Sequence, residues 1–387
     1  MEKARDTRID ARSRRGPARA EPSARLELGP LPLRERGEIL GWLDAVLRGG
    51  RPGALLAEYP GTLGNAASLH ARMRVGGRPA SHALGRPVRT RARGTSVAAG
   101  MIGCVYTDPL WRKHGFARAC VRACAEKLAA GGALVIALWS DLDEFYAPLG
   151  FRRAGTEWIY DLDERKCRAA ASQCGAAFEV SAARAGEWSA LEAMYAAKSA
   201  RADRRLGALA ELAAAPACTT LVARRGGVPV AYASLGRGDD FAGVIHEWAG
   251  DGGGVLACFT ELCAAHGALR CLAGPIDEEP LALLRAAGTP SESRPAGLFA
   301  VPDPIRLWRA VAADVPSLAG VTLIGAGRSF RLEGDAGHVD LDYDEIVALL
   351  LGPERPQRAA AALSPAQYLG VRATCPWPLY LWGFDSI

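Results

Sequence analysis

Arg112-Lys113-His114-Gly115-Phe116-Ala117 is the stretch whose residue types and spacing are best suited to chemistry. It follows a strand-like apolar run and opens a segment with helical spacing. The first N–H groups of a helix have no intrahelical acceptor, and the helix dipole favours negative charge at that end. Gly115 lets an anion such as a diphosphate approach the main chain closely. Arg112 and Lys113 add positive charge, and Tyr106-Thr107-Asp108-Pro109 ends the strand that would lead a bound chain to this cradle. R-x-x-G-x-A alone is equally compatible with a basic helix cap on a glycine turn, so the flanking elements must decide.

Other groups invite weighing. Asp141, Asp143 and Glu144 can attract or deprotonate an amine, or simply be solvated in a loop. Ser140 can hydrogen-bond a cofactor or cap the segment 141–148. His246-Glu247-Trp248 suggests acid/base work, but the loop after it, Gly250-Asp251-Gly252-Gly253-Gly254, has an acid and no Lys or Arg, which disfavours a diphosphate. Cys258, Cys263, His266 and Cys271 match no standard zinc spacing, so no metal is expected. The ten cysteines include no C-x-x-C pair and read as small buried hydrophobes with free thiols, which points to a reducing cytoplasm.

The elements that must position the cradle read as mixed α/β. A helix spans Leu33 to Leu47. Strands are expected at 68–75, near 79–90 and at 95–108. A turn and helix run from Leu110 to Leu128, with Ala117, Cys120, Val121, Cys124 and Leu128 on one face. The continuous apolar run 133–139 suits a strand covered on both faces. Strand, crossover helix and apolar strand make a β-α-β unit. The order then repeats: a strand from FEVSA, a helix over 183–197, a hairpin at 219–237, a strand at 244–250, a helix from Val255 to His266 and another strand. This looks like a diverged duplication. A third region from about 302 reads as helix, strands and helix, and ends in the apolar CPWPLYLWGFDSI, which needs a docking surface.

The 387 residues suit two or three domains. Apolar residues make up 49% and charged residues 23%, which excludes a wholly disordered chain. No apolar run approaches the ~18–20 residues of a membrane helix, and the start lacks the apolar core of a secretory signal. Of the net charge of +5, residues 1–26 carry +4 (eight Lys/Arg, four Asp/Glu), so residues 1–27 are expected to be a disordered basic tail. The rest is nearly neutral, so neither nucleic acid nor membrane is an expected partner.

The stretch from Ile102 to Arg152 resembles the Gcn5-related N-acetyltransferase (GNAT) family. The likeness rests on Val105, Thr107 and Pro109 at the strand end, on R-x-x-G-x-A, and on Phe145, Tyr146, Gly150 and Phe151. The resemblance implies that acetyl-coenzyme A is the cosubstrate. Cys104, Val105 and Tyr106 would line the pantetheine, Arg112, Lys113, His114, Gly115, Phe116 and Ala117 would hold the pyrophosphate, and Tyr146 would protonate the departing thiolate. Over most of the chain the order of elements is similar to the Eis-like (enhanced intracellular survival) branch. That likeness implies a catalytic GNAT domain at 28–167, a degenerate second one at 176–302 and a sterol-carrier-like domain at 303–387, with the Ile387 carboxylate reaching the first active site as the base. The expectation is direct acetyl transfer to the primary amine of a small molecule or peptide, by an enzyme that can self-associate. The rival is a non-catalytic acyl-coenzyme A sensor on the same fold.

Overall fold

The computed structural model describes residues 23–276, 278–353 and 357–387. The first part of the chain forms β1 (Ala24–Gly29), α1 (Leu33–Leu47), α2 (Ala54–Glu58), α3 (Pro60–Leu63), β2 (Leu69–Val75), β3 (Arg78–Ala92), β4 (Thr95–Thr107), α4 (Phe116–Ala130), β5 (Val135–Leu138), α5 (Asp143–Tyr146) and β6 (Arg152–Ala154). The middle forms β7 (Glu157–Leu162), α6 (Glu164–Ser172), β8 (Glu179–Ala182), α7 (Trp188–Ala196), β9 (Ala200–Ala202), α8 (Ala208–Ala213), β10 (Thr219–Arg225), β11 (Val228–Leu235), β12 (Val244–Gly250), α9 (Gly252–His266), β13 (Leu269–Ala273), α10 (Glu279–Ala286), β14 (Ser291–Arg294) and β15 (Gly297–Ala300). The last part forms α11 (Pro304–Ala312), β16 (Thr322–Ala326), β17 (Ser329–Gly334), β18 (Gly337–Asp342), α12 (Tyr343–Leu351) and α13 (Pro365–Thr374).

Among the described residues these strands build three sheets, and the class is mixed α/β as expected. The first sheet runs β1-β2-β3-β4-β5-β15-β6, with β9 also on β3. The second runs β14-β7-β13-β12-β11-β10-β8, and the third is β16-β17-β18. Each large sheet has one parallel pair, β4 with β5 and β12 with β13, joined by the helices α4 and α9. The apolar face of α4 seats Cys120, Val121, Cys124 and Leu128 on the first sheet, as its spacing predicts.

Two features depart from the sequence reading. Ala24–Gly29 is a strand paired with β2 along its whole length, so residues 24–27 are not part of a disordered tail. Residues 1–22 lie outside the described residues. The two large sheets also exchange strands. β7, from the first half, pairs with β13, and β15, from the second, sits between β5 and β6. Burial explains the positions: Gly297–Ala300 is buried at every residue and needs an interior place, whereas Ser291–Arg294 is exposed throughout and takes an edge. The boundary drawn at 167–176 is therefore crossed in both directions.

The apolar end of the chain is docked. Trp377, Leu379, Leu381, Trp382 and Phe384 are all buried, and each such side chain contributes about 1.5–3 kcal/mol when fully removed from water. Among the described residues no helix is long and apolar enough to cross a membrane.

Candidate functional site

The site begins with an irregularity in β4. His82 pairs with Tyr106 and Leu84 with Gly103, so β4 spends three steps where β3 spends two. The extra residue is a β-bulge, with Cys104 at φ 47°. It turns Cys104 to the side covered by α1–α3, while Ile102 and Val105 pack on the α4 side. The Cys104 carbonyl is bound by His82 Nδ1 at 2.9 Å, and His82 Nε2 is 3.1 Å from His70 Nδ1. Burial lowers His82 to about 4 and His70 to about 3, so both rings are neutral at pH 7. The carbonyl can only accept, so His82 donates from Nδ1 and His70 donates to His82 Nε2.

Beyond the Met101–Ala137 pair β5 no longer bonds β4, so among the described residues β4 from Ile102 onward has no strand on that side. The strand ends at Thr107, and the Asp108 side chain accepts from Leu110 N and starts the turn at Pro109–Trp111. The loop then passes through two left-handed residues, Lys113 (φ 66°) and Gly115 (φ 78°), before α4 begins. No side chain caps α4, and among the described residues the N–H groups of Phe116, Ala117 and Arg118 have no backbone acceptor. Open space surrounds the position of a Cβ on Gly115. Arg112, Lys113 and His114 are exposed. His114 Nδ1 lies 2.9 Å from the Arg112 carbonyl, with its ring between Trp111 and Phe116, so it braces the loop.

On the β5 side a cleft of about 500 Å³ opens, lined in part by Trp139, Ser140, Asp141, Asp240, Trp382 and Ile387. Tyr146 is 5% exposed and wedged between Phe145 and Phe151. Burial raises its pKa above the usual phenol value, and a hydrogen bond with Ser140 partly offsets this. Ser140 stands beside Tyr146 and lines the cleft, and its hydroxyl accepts from Leu142 N. The acidic cluster is only partly free: Asp143 is 2.7 Å and Asp141 3.7 Å from Arg153. Burial pushes the Cys104 thiol up to about 12, which keeps it protonated.

The chain's end reaches the same bulge. A Cβ added to Gly103 would lie 3.0 Å from the terminal oxygen of Ile387 and 3.2 Å from its carboxyl carbon. Main-chain anchors lead to this point. Arg86 donates to Asp385 O (3.0 Å), and Arg237 donates to Ser386 O (3.2 Å) and to Gly383 O. Arg204 grips the Asp385 carboxylate from Nε (2.8 Å) and Nη2 (2.7 Å). Cys104, Val105, Tyr106, Ser140 and Ile387 thus gather around the gap between β4 and β5, with the 112–117 loop at the end of β4. Sequence reasoning missed Gly103, His70, His82, Arg204 and Asp385. Only Gly103 carried a signal, since a glycine inside a strand marks a bulge or a close approach.

The second sheet repeats the junction in altered form. β12 and β13 pair only through Val244–Arg270 and Ile245–Cys271. Asp251 caps α9 by accepting from Gly254 N at 3.0 Å. Gly252, Gly253 and Gly254 are packed tightly: a Cβ on each would lie 2.6 Å from Glu279 Oε2, 2.8 Å from Cys174 Cβ and 2.8 Å from Ala231 Cβ, respectively. Cys258, Cys263 and Cys271 are buried in this unit's core, while His266 is exposed, so the structure does not gather the four.

No protein-family model matches the chain, and no curated protein matches it in sequence. Solved structures do share its fold. A GCN5-related N-acetyltransferase from Anabaena variabilis aligns at 11% identity with a TM-score of 0.58, covering 90% of this chain and 96% of that one. Eis1 from Mycobacterium abscessus aligns at 16% identity and 0.52, with the same coverage. A probable N-acyltransferase from Enterococcus faecalis aligns at 11% identity and 0.58, covering 82% of this chain and 85% of the other.

Proposed function

We propose that the chain is an acetyl-coenzyme A-dependent N-acetyltransferase that passes the acetyl group directly to a primary amine. The observation that carries this reading is the junction of β4 and α4. A strand that has lost its neighbour runs into an uncapped, positively flanked helix N-terminus, which suits a long ligand with amides at one end and a diphosphate at the other. The fit is good: the free edge of β4 can pair with pantetheine amides, and the N–H groups of residues 116–118 can take the diphosphate, with Arg112 and Lys113 adding charge.

The chemistry needs a neutral amine, a stabilised oxyanion and a protonated leaving group. The Ile387 carboxylate serves as the base that takes a proton from the ammonium. The amine nitrogen then bonds to the thioester carbonyl carbon, and the oxyanion is met by main-chain N–H at the bulge. The C–S bond breaks, the Tyr146 hydroxyl supplies the proton to the sulfur, and the proton shed by the new amide nitrogen restores that hydroxyl. Tyr146 suits this because its raised pKa keeps it protonated at pH 7. The acceptor is the amine of a small molecule or peptide bound in the cleft beside Asp141 and Asp240. The second unit acts as scaffold, and the part after 303 is read as a sterol-carrier-like module that delivers the chain's end. A cytoplasmic setting is part of this reading.

The test is thiol release from acetyl-coenzyme A against a panel of amines, alongside calorimetric binding of coenzyme A. Amine-dependent release supports the reading. Tight cofactor binding without turnover over a broad panel would mark the chain as a sensor instead.

A further inference from the structure

The middle unit spends an unusual number of buried charges on the last five residues of the chain. Arg204 lies between two carboxylates. It binds Glu247 of β12 with Nη1 at 2.7 Å and Nη2 at 2.9 Å, and Asp385 with Nε and Nη2. Its side chain is 8% exposed, and both carboxylate side chains are 6% exposed. The set continues outward in both directions. Tyr232 donates to Glu247 at 3.0 Å, and Tyr195 donates to Asp385 at 2.9 Å with the Arg204 guanidinium stacked 3.8 Å over its ring. His246 of the same strand meets Phe384 edge-on at 4.8 Å, and its carbonyl leaves no room for a Cβ on Gly383. A buried network of this kind is costly unless satisfied, and it fixes geometry better than it stabilises.

What it fixes is the direction in which the chain leaves Asp385. Two residues later the terminal carboxyl group stands against Gly103 in the bulge of β4. The anchor belongs to the second unit and the target to the first. We infer that Arg204 and Asp385 are positioning residues: the Glu247–Arg204–Asp385 bridge lets the second unit hold the terminal carboxylate of Ile387 over the bulge of the first. This rests on the proposal that this carboxylate is the base. It assigns the second unit a task in acyl transfer that needs no ligand of its own. Neither residue touches the reacting atoms; they act through the two residues that follow.

The experiment uses the full chain, with acetyl transfer to the best amine of the panel and coenzyme A affinity measured side by side. Asp385→Ala leaves Arg204 paired with Glu247, so no buried guanidinium is stranded. Its kcat is expected to fall about 100-fold, the scale of a 1 Å misplacement, with coenzyme A affinity within about twofold. Arg204→Lys keeps the buried charge but loses the fork, and should cost about tenfold in kcat by the same argument. The third arm appends one glycine after Ile387, in the natural chain and in Asp385→Ala. The extension should damage the natural enzyme and add little to Asp385→Ala, because the carboxylate is already misplaced there. A fully active extended natural enzyme removes the carboxylate from the mechanism, and with it the premise. A damaged extended enzyme together with unchanged kcat in Asp385→Ala and Arg204→Lys overturns the positioning role alone. Equal loss of coenzyme A affinity and kcat in those two variants also overturns it, since that marks a general structural defect.

Discussion

The passage from β4 into α4 and the passage from β12 into α9 are built alike. Each strand leaves a short parallel pairing and feeds a fifteen-residue helix. At α4 the helix end is uncapped, its approach loop carries Arg112 and Lys113, and space is open around Gly115. At α9 an aspartate occupies the cap, and three buried glycines let Glu279, Cys174 and Ala231 close against the first turn. Glycine serves opposite ends in the two places. Gly115 leaves the main chain open, whereas Gly252–Gly254 let the protein fill that space itself. One architecture thus carries an open helix N-terminus in one place and a filled one in the other, through a change in what meets it.

The largest expected effect tests the open junction. Gly115→Glu puts a like charge against the diphosphate at a residue held at φ 78°, where a side chain is already disfavoured. Coenzyme A affinity should fall by at least about 10³-fold, or roughly 4 kcal/mol, in calorimetric titration. Retained affinity would dissolve the contrast between the two helix ends.

Acid sharpens the contrast next, because each unit holds neutral imidazole in its interior. Burial depresses His82 to about 4 and His70 to about 3 in the first unit, and His246 to about 3 in the second. The unfolded chain binds these protons near pH 6.5, so it holds more of them between pH 6.5 and 4. Stability is therefore full above about 6.5 and is lost as pH falls toward the folded values. For His82 alone the loss near pH 4 is on the order of 3 kcal/mol. Denaturant unfolding at pH 7 and 4.5 checks this, with His82→Gln expected to flatten the dependence. Equal stability at both pH values would show that these rings are not held neutral.

Tyr146→Phe separates the units by chemistry. The short helix after β5 carries Tyr146, whereas the helix after β13, Glu279–Ala286, has no tyrosine. Removing the hydroxyl should lower kcat about 10- to 100-fold, up to the lower bound of the general-acid range, with coenzyme A affinity unchanged. Because burial raises the Tyr146 pKa, no loss of activity through this group is expected below about pH 10. Unchanged kcat with chemistry rate-limiting would remove Tyr146 from the reaction.

The first junction was legible from sequence because its signals are local. A strand end, a glycine turn and a 3.6-residue apolar period lie within thirty residues. The strand exchange was not legible, since EWIYDL and GLFA were not read as strands, and so short a segment does not record which neighbour it joins. Pairing is settled by burial over the whole sheet. His82 and Arg204 were missed for a related reason. Each is a single polar residue whose meaning comes from a partner at Cys104, Glu247 or Asp385, brought near only by folding. The docking of the apolar end was readable from composition, but an approach of Ile387 to the first site was implied only by the Eis-like resemblance, because no residue pattern links position 387 to a bulge in β4.

The smallest expected effect bears on why the second junction is closed. Asp251→Ala removes the acceptor for Gly254 N and the pairing with Arg225, a surface contact of 3.2 Å that contributes little. Loss of an aspartate cap costs about 1 kcal/mol, which should appear as a small shift in denaturant midpoint with no change in slope. The substitution also removes the capping acid at the helix end, leaving Glu279 as the acid beside the first turn. If charge alone closed this junction, the variant would bind coenzyme A at a second site, and titration would show a stoichiometry above one. The packing of Glu279, Cys174 and Ala231 against Gly252, Gly253 and Gly254 argues against that, because the space a phosphate needs is filled by protein atoms. The expected stoichiometry is therefore unchanged. A second equivalent of bound coenzyme A would show that the middle unit keeps a latent site held shut by one side chain.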